Sequence, residues 1–270
     1  MSAEAANRPT FLLRVDCEHV ESRRWAGGVE PEVAGTPRLL ALLAELHVPA
    51  TFGFVGLTAR EYPQFARAAA AGGHAIAGHS LDHAGPYAGR PVQQQEEDME
   101  QMAAAIEAAC GVRVRGLATP CHGLIDGATL EAAGHSGLDY VLNFSITAEA
   151  PSPLAPAPGM EEMARPVLVP SARLNVVWDW THLQPGRPPF SDEAARREWA
   201  AAIDGASREQ GGAVSLIIHP WIVELNQEYP VLAELLGYAR EKGFAFSTFD
   251  AVASAALANR SPAAAARERA

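Results

Sequence analysis

The 270-residue sequence predicts an α/β protein whose parallel strands curl into a closed or nearly closed β/α barrel. Two observations carry that reading. Apolar, strand-like runs alternate with segments of helical periodicity from Thr10 to Thr248, the pattern of successive βαβ units. About seven such units fill the chain, with no fixed-period repeat and no second apolar core, so one domain is expected. Its core runs from about residue 10 to about residue 255, and the Ala/Arg-rich stretch 258–270 reads as a frayed tail.

Each element has its own signal. Thr10–Asp16 (TFLLRVD) is apolar and follows Pro9, which reads as a buried strand. Thr36–Val48 has Pro37 at a first-turn position, so a helix capped by Thr36 is expected. Ala50–Val55 reads as a strand, Tyr62–Ala71 as a helix stopped by Gly72-Gly73, and His74–His79 as a strand. Pro91–Ala109 is a long helix with Gly111 as its stop. Val112–Ala118 reads as a strand, Gly127–Ala133 as a short helix and Tyr140–Ile146 as a strand. The Pro-rich segment Ala150–Gly159 reads as a surface loop. Strands are expected near Val167–Val169 and Leu174–Trp178, then a helix capped by Ser191 over Glu193–Ser207. The strand Ala213–His219, the helix Tyr229–Lys242 and the strand Phe244–Thr248 complete the pattern.

Composition narrows the function classes. Lys plus Arg is 21 against 32 Asp plus Glu, a formal net charge of −11. That balance argues against nucleic acid or an anionic membrane as the main partner, since both demand clustered positive charge. No apolar run has the length of a membrane span, and Met1–Thr10 is polar without a signal-like apolar stretch. Cys17, Cys110 and Cys121 are odd in number and far apart, which reads as thiols in a reducing cytoplasm.

Three polar clusters close expected strands, at the barrel end where β/α enzymes place their chemistry. The first is Asp16-Cys17-Glu18-His19. Side chains alternate along a strand, so Asp16 and Glu18 share one face, as a metal ligand and a general base would; a solvated strand end fits the same pair. The second is His79-Ser80-Leu81-Asp82-His83, whose histidines, four apart, would share one face of a helical turn. The third is His219-Pro220-Trp221, where His219 is a candidate general acid or simply a satisfied strand-end residue. Trp178-Asp179-Trp180 adds a carboxylate between two aromatics.

The order D-x-E, H-S-x-x-H, G-L-A-T-P, W-D-W and L-I-I-H-P resembles the metal-dependent polysaccharide deacetylases (the NodB-homology, carbohydrate esterase family 4-like superfamily), from about Phe11 to Ser254. The resemblance implies a distorted (β/α)7 barrel holding one divalent ion, usually zinc. It casts Asp16 as catalytic base, Glu18, His79 and His83 as metal ligands, His219 as catalytic acid and Asp179 as its helper. Thr119, Pro120, His122, Trp180 and Trp221 stand where substrate contacts are expected. The segments Leu13-Arg14-Val15-Asp16 and Gly35–Leu40 are most similar to the branch that deformylates a lipid-linked formamido-arabinose, whereas His219-Pro220-Trp221 is more similar to the allantoinase and cyclic-imidase branch. Two positions depart from the pattern: Glu18 replaces an Asp, and Ala118 stands where many members carry an Arg that pairs with the base.

The expected activity is metal-dependent hydrolysis of a non-peptide amide, as a deacetylase or deformylase of an N-acyl amino sugar or related small molecule. A cyclic-amide hydrolase and a non-catalytic binding protein on the same scaffold are the alternatives. The expected partner is a saccharide or small molecule, and self-association into a homo-oligomer stays open.

Overall fold

A computed structural model describes residues 8–18, 31–120, 125–143, 167–170, 192–209 and 212–258. In chain order the elements are β1 (Thr10–Cys17), α1 (Pro31–Glu45), β2 (Thr51–Phe54), α2 (Gly56–Glu61), α3 (Pro63–Ala71), β3 (Ala75–Gly78), α4 (Val92–Cys110), β4 (Gly116–Ala118), α5 (Gly127–His135) and β5 (Tyr140–Asn143). They continue with β6 (Val167–Pro170), α6 (Asp192–Ser207), β7 (Ala213–Ile218), α7 (Pro220–Asn226), α8 (Tyr229–Glu241), β8 (Ala245–Ser247) and α9 (Phe249–Ala258).

All strand pairs are parallel, and the sheet runs β6-β5-β4-β3-β2-β1-β7. It curls as a distorted β/α barrel. β7 covers one edge of β1 from Thr10 to Val15. The other edge is shared: β8 pairs with Thr10–Leu12 and β2 with Arg14–Cys17. β1 is therefore the strand around which both ends of the sheet are organised.

The period-two alternation of β1 sorts its side chains between two compartments. Phe11, Leu13, Val15 and Cys17 join the main core under the helices. Leu12 joins Ala77, Ala118, Tyr140, Leu142 and Phe249 in a second apolar cluster that floors the lumen. Arg14, Asp16 and Glu18 follow Leu12 on that same inner face, stepping from the floor towards the strand ends.

Several local expectations need correction. Thr36 does not cap α1, which begins five residues earlier with Pro37 inside it. The Thr36 hydroxyl instead donates to Glu32 Oε1 one turn back (2.8 Å), so a Ser/Thr-Pro pair here is an interior feature rather than a helix start. β4 is confined to Gly116–Ala118. The helices α2, α7 and α9 were not anticipated. Gly111 does end α4, at φ 73°. The expected loop Ala150–Gly159, the strand Leu174–Trp178, the cap Ser191 and the tail beyond residue 258 lie outside the described residues. No helix among the described residues is long and apolar enough to cross a membrane.

Candidate active site

Three strand ends converge on one buried point. β1 supplies Asp16 and Glu18, the residue after β3 is His79, and the residue after β7 is His219. His83 arrives from the loop beyond His79. All five are nearly inaccessible to solvent. Glu18 Oε1 lies 2.8 Å from His79 Nε2, 3.1 Å from His83 Nε2 and 3.6 Å from His219 Nε2. Asp16 Oδ2 faces the same region, 3.7 Å from His79 Nε2.

The two histidines of H-S-x-x-H do not share a helical turn, as their spacing suggested. Residues 79–83 form an irregular loop in which Ser80 (φ 62°) and His83 (φ 57°) both adopt left-handed backbone. Each such non-glycine residue is disfavoured by roughly 1 kcal/mol or more, so the loop must be held by its surroundings. Ser80 Oγ accepts from the His83 amide (3.0 Å), the Ser80 and Leu81 carbonyls accept from Gly56 and Leu57, and Asp98 Oδ1 accepts from the Leu81 amide (3.0 Å). The Tyr87 hydroxyl donates to that same Asp98 oxygen. The rings of His79 and His83 end with their centroids 5.0 Å apart.

His79 shows what the cluster needs. Its Nδ1 lies 2.7 Å from the Ala118 carbonyl, which can only accept, so Nδ1 carries the proton and Nε2 offers a lone pair. That lone pair faces a carboxylate oxygen at 2.8 Å. Two acceptors at that distance require a positive centre, either a proton or a metal cation. Glu18 Oε2 is buried without a partner among the described residues. Ligand atoms of Glu18, His79 and His83 all lie within 4.8 Å of one another, as do those of Asp16, Glu18 and His219. A mixed carboxylate–imidazole set of this kind suits zinc or a similar divalent ion, so the residues fit such a group.

Charge is distributed unevenly. Arg14 is buried, and its Nε donates to Asp16 Oδ1 at 2.7 Å, which balances one of the two acids. Burial would push the Glu18 carboxyl up, but His219, then His83, with hydrogen bonds from His219 and His79, hold it well below the usual carboxylate range. Glu32, fully buried on α1, is raised from an ordinary 4.5 to about 7, chiefly by burial, although Thr36 donates to it. Burial, with Glu32 and Asp16 nearby, pushes the Cys17 thiol well up and keeps it unreactive.

Thr119 serves the framework. Its hydroxyl donates to the Leu142 carbonyl (2.7 Å) and its own carbonyl accepts from Arg14 Nη2 (2.9 Å). Pro120 and Trp221 are buried close in sequence to site residues. His122, Asp179 and Trp180 lie outside the described residues. Sequence reasoning missed Arg14, Asp98 and Glu32. Arg14 was within reach, since the alternation that pairs Asp16 with Glu18 also places Arg14 on their face.

A family model described as polysaccharide deacetylase matches residues 28–141. That segment of the chain is similar to the family. It contains His79 and His83, while Asp16, Glu18 and His219 fall outside it and join them only in the fold. A chitooligosaccharide deacetylase of Sinorhizobium fredii (strain NBRC 101917 / NGR234) is 34% identical over 114 residues, which is 41% of this chain and 51% of that protein. The chain thus aligns with about half of that relative's length. A Mycobacterium smegmatis protein described as a putative polysaccharide deacetylase shares this chain's fold, with a TM-score of 0.80 at 21% identity over 96% of this chain and 94% of that one. The Puue allantoinase has the same fold, with a TM-score of 0.72 at 17% identity over 94% and 92% of the two chains.

Proposed function

We propose that this chain is a metal-dependent hydrolase of a non-peptide C–N amide bond. Its favoured substrate would be an N-acyl amino sugar or related small molecule carrying an acetyl or formyl group. The observation that carries this reading is the convergence of Glu18 Oε1 on His79 Nε2 and His83 Nε2, in a chain whose matched relative is a deacetylase. Glu18, His79 and His83 would hold the ion. When bound, a divalent ion supplies Lewis acidity towards an amide oxygen and activates water.

The remaining steps belong to the chain's own groups. Asp16, with Oδ1 tied to Arg14, presents Oδ2 to the site and takes the proton of the attacking water. His219 Nε2 gives a proton to the departing nitrogen, which would otherwise leave as an unstable anion. Asp179 is proposed to orient His219. Burial of Asp16, Glu18, His79, His83 and His219 keeps bulk water from the reacting amide. The free thiols of Cys17 and Cys110 favour a reducing compartment, in keeping with a cytoplasmic enzyme.

A cyclic amide is the second reading. It is favoured by the His219-Pro220-Trp221 ending and is compatible with the fold shared with an allantoinase. The test is elemental analysis of protein purified without chelator, then an assay panel of N-acetylated chitooligosaccharides, formamido sugars, allantoin and cyclic imides. About one divalent ion per chain is expected, lost in Glu18→Gln, with turnover on one arm of the panel. A metal-free protein, or a Glu18→Gln variant that keeps its metal, would overturn the assignment. Stoichiometric metal without turnover on any amide would favour a binding protein.

A further inference from the structure

We infer that Arg14 is a positioning residue that gives the two carboxylates their separate tasks, holding Asp16 away from a bound divalent cation and leaving Glu18 to ligate it. Asp16 and Glu18 stand two residues apart on one face of β1, and both have oxygens within 4.8 Å of a His219 nitrogen. Spacing alone does not decide which of them a cation would take. The surroundings do. Asp16 Oδ1 is tied to Arg14 Nε at 2.7 Å. The same guanidinium is pinned at its far end, where Nη2 donates to the Thr119 carbonyl at 2.9 Å. It therefore bridges the lumen from β1 to the end of β4 and cannot follow Asp16 towards a cation. Glu18 has no such tether: Oε2 has no partner among the described residues and Oε1 faces imidazole nitrogens.

Two small residues make room for this arrangement. A Cβ at Gly53 would stand 3.0 Å from Asp16 Oδ1 and 2.9 Å from the Ala118 Cβ. Glycine at 53 therefore leaves space for the tied oxygen, and Ala118 adds only a methyl group on the β4 side. The basic partner of Asp16 thus comes from its own strand. A lysine at position 14 would keep the charge beside the carboxylate and give up only the second bond to the Thr119 carbonyl, which takes a planar fork.

The inference rests on the metal-dependent reading above for the existence of the cation. Its test is a cobalt(II) titration of the full chain, stripped of metal, in the wild type, Arg14→Met, Asp16→Asn, the double variant and Arg14→Lys. Arg14→Met should bind cobalt about tenfold more tightly, with weaker visible absorption, because the released Asp16 adds a ligand. Asp16→Asn alone should bind like the wild type, and the double variant should lose the gain. Arg14→Lys should keep the wild-type spectrum, since its charge still restrains Asp16. It also serves as the reporting variant should Arg14→Met fail to melt cooperatively, in which case a new spectrum in Arg14→Lys overturns the inference. On any amide the panel identifies, Arg14→Met should lower kcat about 100-fold with KM little changed.

Three results would overturn the inference: cobalt lost in Asp16→Asn alone, an Arg14→Met titration identical to the wild type, or a gain that survives in the double variant. The last would reduce Arg14 to a repelling charge. A wild type that binds no cobalt overturns this inference together with the metal-dependent reading. One that binds cobalt and hydrolyses no amide overturns only the hydrolase reading.

Discussion

Glu32 sits behind the carboxylate–imidazole cluster, on α1, and its protonation is coupled to stability. Its neighbours are the Thr36 hydroxyl, the Cys17 thiol and, at longer range, Glu18 and His219. A carboxyl raised from 4.5 to about 7 binds its proton more tightly in the folded chain than in the unfolded one. Its contribution is therefore complete below 4.5, declines as pH rises through that window, and is gone above about 7. The full span is worth about 3 kcal/mol. Glu32→Gln keeps an acceptor for Thr36 and removes the titration. Chemical denaturation of metal-free protein from about pH 4 to about pH 8 should move the stability difference in the variant's favour by about 3 kcal/mol. A pH-independent difference would mean that Glu32 is ionised throughout. At this scale the sequence was legible wherever strand alternation applied. Asp16 and Glu18 were paired correctly because a period of two leaves no choice of face. Glu32 was not legible, because the helix that delivers it beneath Glu18 carried a false start signal at Thr36-Pro37.

Among the elements, the loop after β3 has the most demanding geometry. Its left-handed residues Ser80 and His83 are tolerated because α4 reaches across to it through Asp98. Asp98→Ala would leave the half-buried Leu81 amide and the Tyr87 hydroxyl without their acceptor, a loss of about 2–4 kcal/mol. It should also weaken metal binding about tenfold by loosening His83, although Asp98 touches no proposed ligand side chain. A zinc titration alongside a melting curve checks both effects, and unchanged affinity would show that the loop keeps its shape unaided. The H-S-x-x-H spacing anticipated that His79 and His83 come together, but through the wrong local structure. Four-residue spacing fits a helical turn, but a loop with two reversals of φ brings the rings together equally well, and side-chain identity does not distinguish the two. The helix α7 was hidden for a related reason: Pro220 at its first position is an ordinary helix-start signal. It was read only as part of the motif L-I-I-H-P.

For the whole molecule, the alternation of strands and helices was enough to anticipate the barrel, because parallel strands need crossovers and crossovers set the order. What escaped was how the lumen is closed from below. α9 follows β8 with an Ala-rich sequence that offers little periodic contrast, yet it packs Phe249 and Ala253 into the floor cluster with Leu12, Ala118 and Tyr140. The Phe249 amide donates to Thr51 Oγ1 (3.0 Å), and Arg115 joins Asp139 to Asp250 and Ser254. Phe249→Ala should therefore cost about 3–5 kcal/mol, a core-sized penalty from a residue near the chain's end. A loss below about 1 kcal/mol would show that α9 is dispensable to the floor.

The pairing of β1 has a consequence for how the protein comes into being. β1, which carries Arg14 and Asp16 and leads into Glu18, is made well before β7, which covers one of its edges some 200 residues later, with Thr10 opposite Ala213. Until that segment has been translated, the nascent chain holds an apolar strand with an open side, a template for pairing with other chains. Closure across such a separation is entropically slow, which places assembly of the site among the last events of folding. During synthesis, then, the open edge of this strand is exposed to wrong pairing before the residues it carries can meet their partners.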